Sequence, residues 1–269
     1  TWAYRRKTMP DGSFRKFKAR YCVRGDLQKL KGGGDVDTYA PVVTWVTVRI
    51  MFILALVLGM KSRQIDYSNA FAQADLESPV YLNLPQGFTA PEPDMILQLN
   101  KSLYGQIEAP KLWYEKLKNG MEDRGFRTSK LDPCLFISPN MIAFSYVDDC
   151  CYYFFDDKVF DEHMQSFVDD GDEYNWEMTI EGEVSDFLGI SIDENKNDGT
   201  VTLTQVGLVD RILKATGMED CNGKPTPCSG DGKPLGSDKY GTWAKEDWKY
   251  SSIVGMMLYL ASHSRPDIS

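Results

Sequence analysis

The alternation of apolar and polar positions predicts a chain in which short strands and helices are mixed. Its clearest pattern is a pair of apolar runs, residues 141–145 and 150–155, separated by the four residues 146–149. Runs of this length around so short a segment predict a β-hairpin with a tight turn. Asp148 and Asp149 place two adjacent carboxylates at that turn.

The N-terminal residues predict another hairpin, with strands at 2–7 and 14–23 around a turn at 10–12. Residues 44–60 have helical apolar spacing and predict a buried core helix with Thr44 as its N-cap. Their apolar part is far shorter than the roughly 20 residues that a membrane-spanning helix needs. Further strands are predicted at 62–67, 80–84, 96–99, 184–192 and 200–204, and further helices at 68–74, 110–124, 163–174, 206–217 and 248–262. Because strands and helices do not alternate regularly, the predicted fold class is α+β.

Charge is unevenly distributed along the 269 residues, whose net charge is −9. Residues 1–31 carry ten Lys or Arg and two acids, a balance of +8, whereas residues 148–198 carry seventeen acids and two lysines. A basic N-terminal segment could hold phosphates, and a solvated charged face is the simpler interpretation. The six cysteines form no C-x-x-C pair, which argues against a zinc site and favours free thiols.

A third carboxylate, Asp66, ends the predicted strand at 62–67 and lies 82 positions before Asp148. If that strand and the hairpin are neighbours in one sheet, three carboxylates can converge, and like charges so close require a cation. Oxygen ligands favour Mg²⁺ or Mn²⁺ over zinc, and a pair of such ions supports in-line displacement at phosphorus. Aspartates also favour turns because they hydrogen-bond their own backbone, so both interpretations remain open.

Eight short blocks have a recognisable order and spacing. They are residues 18–28 (KARYCVRGDLQ), 39–43 (YAPVV), 65–71 (IDYSNAF), 80–88 (VYLNLPQGF), 101–105 (KSLYG), 146–149 (YVDD), 187–190 (FLGI) and 265–268 (RPDI). Together they resemble the reverse transcriptase domain of copia-type LTR retrotransposons along nearly the whole chain. The resemblance implies a right-hand polymerase, with a palm of antiparallel sheet plus helices, fingers and a partial thumb.

The resemblance also implies where the parts of such a hand begin and end. The expected boundaries are fingers at 1–41 and 74–107, palm at 42–73 and 108–192, a thumb-like region and linker at 193–247, and the start of a connection toward an RNase H domain at 248–269. The implied activity is RNA-directed DNA polymerisation, in which a primer 3′-hydroxyl attacks the α-phosphate of a deoxynucleoside triphosphate.

The implied site has three parts. The catalytic and metal-binding carboxylates would be Asp66, Asp148 and Asp149, with two Mg²⁺ or Mn²⁺ ions. The nucleotide would be bound by Lys18, Arg20, Phe71 (as a steric gate against a ribose 2′-hydroxyl), Tyr104 and Gly105. The primer end would be held by Phe187, Leu188, Gly189 and Ile190.

The implied partners are an RNA template, a DNA or tRNA primer, deoxynucleoside triphosphates and the remainder of a Pol polyprotein, including integrase and RNase H. No membrane partner is expected. The expected location is intracellular, in a cytoplasmic virus-like particle or in the nucleus.

Two departures from the family pattern bear on the rate of the implied reaction more than on its type. Residues 106–108 are Gln-Ile-Glu where the family has Leu-Lys-Gln, and Thr179 stands where a lysine is usual. No Lys or Arg occurs from residue 159 to residue 195. The missing lysine and the negative net charge leave a non-catalytic or domesticated nucleic-acid-binding remnant of the same domain as the alternative to an active polymerase.

Overall fold

The computed structural model describes residues 1–8, 14–28, 37–168, 176–223 and 249–269. Its strands are β1 Trp2–Thr8, β2 Phe14–Tyr21, β3 Lys61–Tyr67, β4 Asp75–Asn83, β5 Ile96–Lys101, β6 Arg127–Thr128, β7 Leu135–Ile137, β8 Met141–Tyr146, β9 Asp149–Phe154, β10 Met178–Ile180, β11 Asp186–Phe187, β12 Ile190–Asn195 and β13 Thr200–Thr204. Its helices are α1 Trp45–Leu58, α2 Ala70–Gln73, α3 Ala109–Asp123, α4 Asp157–Val168, α5 Val206–Thr216 and α6 Tyr250–His263. The mixed α+β class predicted from the sequence is therefore confirmed.

The chain divides into two compact units, residues 1–185 with 194–201, and residues 186–193 with 202–269. The larger unit is built on an antiparallel six-stranded sheet in the order β10-β3-β9-β8-β7-β6. One face of this sheet packs against α3 and α4 through a single apolar cluster that includes Trp113, Leu117, Phe160 and Phe167. The sheet therefore places β3 directly beside the β8–β9 hairpin.

Helix α1 begins and ends as its sequence predicts. Thr44 accepts a hydrogen bond from the Thr47 N–H at the N-terminus, and Gly59 adopts a left-handed conformation at the C-terminus. The prediction of a buried core helix is wrong for one side of α1, because Ile53 and Val57 are 59% and 73% exposed. Apolar composition identified a helix, but only four of its residues are buried.

The predicted N-terminal hairpin is confirmed by the antiparallel pairing of β1 with β2. Its predicted turn and the following glycine-rich stretch lie outside the described residues. The β2 end is tied to the rest of the unit, because the Val23 N–H donates to the Tyr104 carbonyl at 2.8 Å. The Tyr21 hydroxyl also donates to the Asn83 carbonyl in the β4–β5 hairpin at 2.9 Å.

The helix predicted at 163–174 begins six residues earlier, at Asp157. Asp156 explains this start, because its side chain accepts from the Lys158 N–H and its carbonyl from the Phe160 N–H. Residues 169–174 of the predicted helix lie outside the described part.

The strand predicted at 184–192 is also wrong as a single element. Leu188 and Gly189 have φ of 52° and 78°, so the chain reverses there and β11 pairs back onto β12. The smaller unit also contains α5 and α6, as predicted, and the Tyr259 hydroxyl of α6 donates to the Leu188 carbonyl at 2.9 Å. This contact holds the turn between the two short strands.

Candidate active site

The three candidate carboxylates are brought to one end of the six-stranded sheet by its register. Asp66 of β3 lies directly opposite Asp149, the first residue of β9. Residues directly opposite one another in an antiparallel pair project to the same face of the sheet. Ile65 and Tyr67, the sequence neighbours of Asp66, belong to the apolar core on the other face. The Tyr67 N–H then donates to the Asp148 carbonyl at 3.0 Å, which ties β3 to the turn itself.

The turn between β8 and β9 contains only Val147 and Asp148. Val147 has φ of 58°, a left-handed conformation that is sterically costly for a β-branched side chain. Its carbonyl accepts a hydrogen bond from the Trp113 indole N–H at 2.7 Å. The backbone at this turn is therefore held on both sides, by β3 and by α3.

Electrostatics couple the turn to Asp66 and to the N-terminal hairpin. Burial raises the pKa of Asp148 above its ordinary value, and the nearby Asp66 carboxylate raises it further. Arg20 and Lys18 oppose this shift in the pKa of Asp148. Burial, followed by repulsion from Arg20 and Lys7, lowers the pKa of Lys18, while Asp66 raises it. Acids and bases therefore interact across this part of the larger unit.

Three predicted nucleotide-binding residues form a continuous row of contacts. The Arg20 guanidinium lies 4.5 Å from the centre of the Tyr104 ring, and the Tyr104 ring centre lies 4.8 Å from that of Phe71. Arg20 Nε is buried and has no hydrogen-bond partner. The Ser102 hydroxyl donates to the Phe71 carbonyl, which fixes α2 beside β5.

Gly105 allows two backbone segments to approach closely. Its φ is +89°, and a Cβ at this position would overlap the Val23 carbonyl oxygen and lie 3.1 Å from the Val23 nitrogen. A Cβ on Gly25 would in turn overlap the Gly105 carbonyl oxygen. The glycine predicted to line a nucleotide pocket thus has a structural reason of its own: it joins the end of β2 to the Tyr104 segment.

The carboxylates offer the oxygen donors that Mg²⁺ and Mn²⁺ prefer. The raised pKa of Asp148 also shows that its ionised form lacks full compensation from its surroundings. Within the described ranges, however, no group of three or more His, Cys, Asp or Glu side chains is arranged so that it could hold a metal ion. The residues therefore fit divalent cations by donor type and by backbone position, while their side chains do not form a closed metal site.

Two further sequence features are now located. Thr179, at the position where the family usually has a lysine, lies directly opposite Asp66 on β10. The predicted primer-binding residues belong to the smaller unit, where Phe187 and Ile190 are fully buried and Leu188 and Gly189 form the turn.

The hydrogen bond from Trp113 to the turn was not predicted from the sequence. A usable signal was present, because a buried indole N–H nearly always finds an acceptor. Its acceptor could not be identified without the packing of α3 against the hairpin.

The family profile described as Reverse transcriptase (RNA-dependent DNA polymerase) matches residues 1–230 of this chain. The chain belongs to the reverse transcriptase family. Within it, the chain is similar to copia-type retrotransposon Pol polyproteins, which places it among their reverse transcriptase domains.

Three curated relatives illustrate this similarity. The retrovirus-related Pol polyprotein from transposon TNT 1-94 of Nicotiana tabacum is 31% identical over 100% of this chain and 20% of its own length. The corresponding polyprotein from transposon RE1 of Arabidopsis thaliana is 31% identical over 100% of this chain and 18% of its own. The Ty1-H Gag-Pol polyprotein of Saccharomyces cerevisiae is 35% identical over 48% of this chain and 8% of its own.

The chain thus spans about a fifth of the length of the first two relatives. No solved structure matches it. No helix among the described residues is long and apolar enough to cross a membrane.

Proposed function

We propose that this chain is the polymerase core of a copia-type Pol polyprotein and extends a primer by copying an RNA template. The observation that carries the proposal is the position of Asp66 directly opposite Asp149, next to the turn that contains Asp148. The Asp66 carboxylate adds to the effect of burial in raising the pKa of Asp148, which supports the same assignment. The family to which the chain belongs carries this activity in its description.

In this proposal Asp66, Asp148 and Asp149 hold two Mg²⁺ or Mn²⁺ ions at the end of the sheet. Bound there, such ions would activate the primer hydroxyl and neutralise charge on the leaving pyrophosphate. Because the described carboxylates do not form a closed metal site, their side chains must turn toward one another when the ions bind. The fixed backbone register makes this a rotation of side chains and leaves the sheet unchanged.

Lys18 and Arg20 bind the triphosphate of the incoming nucleotide in this proposal. Both lie on β2 of the N-terminal hairpin and interact electrostatically with Asp148. In this proposal the triphosphate lies between these two basic side chains and the carboxylates. Arg20 retains a buried Nε without a partner, and a guanidinium suits bidentate phosphate contacts.

Phe71 and Tyr104 are proposed to shape the sugar and base pocket. Their rings contact one another, which restricts the rotation of Phe71 and supports its role as the steric gate. Gly105 belongs to the same pocket through Tyr104, and Phe187, Leu188, Gly189 and Ile190 are proposed to hold the primer end.

The finger, palm and thumb boundaries given above remain part of this proposal, as do the RNA template, the DNA or tRNA primer and the remaining Pol domains.

Two observations favour the alternative, a nucleic-acid-binding remnant without catalysis. No closed three-residue metal group occurs in the described ranges, and Thr179 rather than a lysine faces Asp66. In that case the basic hairpin would bind a primer–template duplex through its phosphates, with strong salt dependence.

Primer extension distinguishes the two functions. The chain is given an RNA template, a DNA primer, deoxynucleoside triphosphates and Mg²⁺, and duplex binding is measured in parallel. The proposal expects extension by the wild type and none by Asp148→Asn, with similar duplex binding by both. Binding without extension, identical in the wild type and Asp148→Asn, would establish the remnant instead.

A further inference from the structure

The turn of the β8–β9 hairpin has an unusual conformation for its sequence. Val147 is β-branched, and its φ of 58° lies in a region that such residues rarely adopt. Two-residue hairpin turns favour Asn, Asp or Gly at positions with positive φ. The turn therefore needs support from outside the hairpin.

Two hydrogen bonds supply that support, and they hold two consecutive carbonyls. The Trp113 indole N–H donates to the Val147 carbonyl at 2.7 Å, and the Tyr67 N–H donates to the Asp148 carbonyl at 3.0 Å. The Tyr67 and Trp113 rings also contact one another, with centres 5.4 Å apart. Both donors thus belong to one packed unit beneath the turn.

The Trp113 donor is held rigidly. Its side chain is 1% exposed, and its ring also contacts Trp176, with centres 5.9 Å apart. Pro110 in the first turn of α3 presets the backbone there, which fixes the start of the helix that carries Trp113. Because the indole N–H is held in one place by the helix and its packing, it can form a good hydrogen bond only with an acceptor at one position.

The turn has room to move if that acceptor is released. A cavity of about 100 Å³ lies beneath it, lined mainly by apolar groups that include Pro41, Leu117, Val147 and Trp113 itself. Packing on this side of Val147 is therefore incomplete, so it constrains a rotation of the turn backbone less than a filled core would. The hydrogen bond from Trp113 is the directional contact that opposes such a rotation.

We propose that Trp113 is a positioning residue: it holds Val147 in its left-handed conformation and so sets the direction in which Asp148 presents its carboxylate. The expected effect on kcat rests on the proposed polymerase function, whereas the expected effect on the turn conformation rests on the hairpin geometry alone. As an almost completely buried side chain, Trp113 has no direct part in the chemistry of this proposal. It acts on the rate of chemistry through the backbone of the turn, so its loss lowers kcat more than it raises KM.

The test replaces Trp113 by Phe, which keeps an aromatic ring but removes the N–H donor together with part of the buried side-chain volume. Tyr114→Phe is the matched control, because it removes a side-chain donor to the Pro133 carbonyl from the next residue of the same helix. We expect Trp113→Phe to lower kcat of primer extension about tenfold or more, with the KM for the nucleotide changed less than about threefold. Tyr114→Phe leaves both constants near the wild-type values.

A double-mutant cycle separates positioning from a general loss of stability. Asn tolerates positive φ far better than Val. Val147→Asn should therefore make the left-handed conformation of the turn less dependent on the hydrogen bond from Trp113. In the Val147→Asn background, the loss of kcat caused by Trp113→Phe should shrink to about a third or less of its value in the wild type. An equal loss in both backgrounds, or a loss matched by Tyr114→Phe, overturns the proposal.

Amide hydrogen exchange gives a readout that does not need activity. Release of the turn should also weaken the hydrogen bond from the Tyr67 N–H, so its exchange should accelerate about tenfold or more in Trp113→Phe and stay unchanged in Tyr114→Phe. If the wild type fails to extend primers but this pattern appears, the polymerase function fails and the positioning role stands. An unchanged Tyr67 exchange rate in Trp113→Phe overturns the positioning role in an active or inactive chain.

Discussion

Replacement of Gly105 by Ala tests how closely the end of β2 approaches the Tyr104 segment. Two costs add at this position. Ala at a φ of +89° loses about 1–2 kcal/mol relative to Gly. Its Cβ would also overlap the Val23 carbonyl oxygen, so the Val23 backbone must move and its 2.8 Å hydrogen bond to Tyr104 is lost, for about another 1 kcal/mol.

Gly87 offers a matched control for the first cost alone. Its φ is +95°, and a Cβ there would have no neighbour within 4 Å. Gly87→Ala should therefore lower the free energy of unfolding by about 1–2 kcal/mol, and Gly105→Ala by about 2–3 kcal/mol. The difference between the two variants isolates the contact with Val23.

Guanidinium denaturation of the two variants and the wild type measures these free energies. Because the shift of Val23 displaces the end of β2, Gly105→Ala should also raise the KM for the nucleotide, through Arg20 and its contact with Tyr104. If Gly105→Ala and Gly87→Ala destabilise the protein equally, within about 0.5 kcal/mol, the close approach does not limit stability and the reasoning is refuted.

Three further predictions concern the core, a helix N-terminus and the gate. Burial lowers the pKa of His163 to about 4, from about 6.5 in the unfolded chain. Between these pH values the unfolded state binds more protons than the folded state. The free energy of unfolding therefore falls as the pH drops from about 6.5 to 4. Denaturation across this range should show a loss of up to about 3 kcal/mol that is absent in His163→Phe; the same pH slope in that variant would contradict the assignment. Asp132→Ala removes the buried acceptor of three hydrogen bonds, two from Thr44 and Thr47 at the start of α1 and one from the Cys134 N–H just before β7. It should lower the free energy of unfolding by about 3 kcal/mol, whereas Asp157→Ala, which loses exposed ion pairs, should cost much less. Equal losses would argue against burial as the cause. Phe71→Ala should raise ribonucleotide incorporation about tenfold or more in a primer-extension assay, because it opens the space of a 2′-hydroxyl, and unchanged selectivity would remove Phe71 from the gate.

Local patterns predicted most of the elements of this fold. Helix α1 follows from helical apolar spacing between Thr44 and Gly59. The Thr44 side chain caps its N-terminus, and Gly59 ends it in a left-handed conformation that glycine readily adopts. The β8–β9 hairpin follows from its two apolar runs, and its strands pair from residue 141 to residue 154. These elements depend on interactions between residues close in sequence, which is why their sequence predicts them.

Errors occurred where the deciding contact was distant or a turn interrupted an apolar run. The exposed side of α1 carries the same apolar residue types as its buried side, so composition could not distinguish them. The reversal at Leu188 and Gly189 interrupts a segment that reads as one strand, and a non-glycine residue with positive φ there gives no local signal. The start of α4 depended on capping by Asp156, which the apolar spacing did not include.

The sequence by itself determined the family, the α+β class and the identity of the candidate carboxylates, because these are recorded in short blocks of residues and in their order. Only the tertiary structure decided that Asp66 lies opposite Asp149, that Gly105 contacts Val23 and that Trp113 holds the Val147 carbonyl. Each of these contacts joins segments separated by more than thirty residues. Their geometry follows from strand register and helix packing, which depend on the whole core rather than on any local pattern.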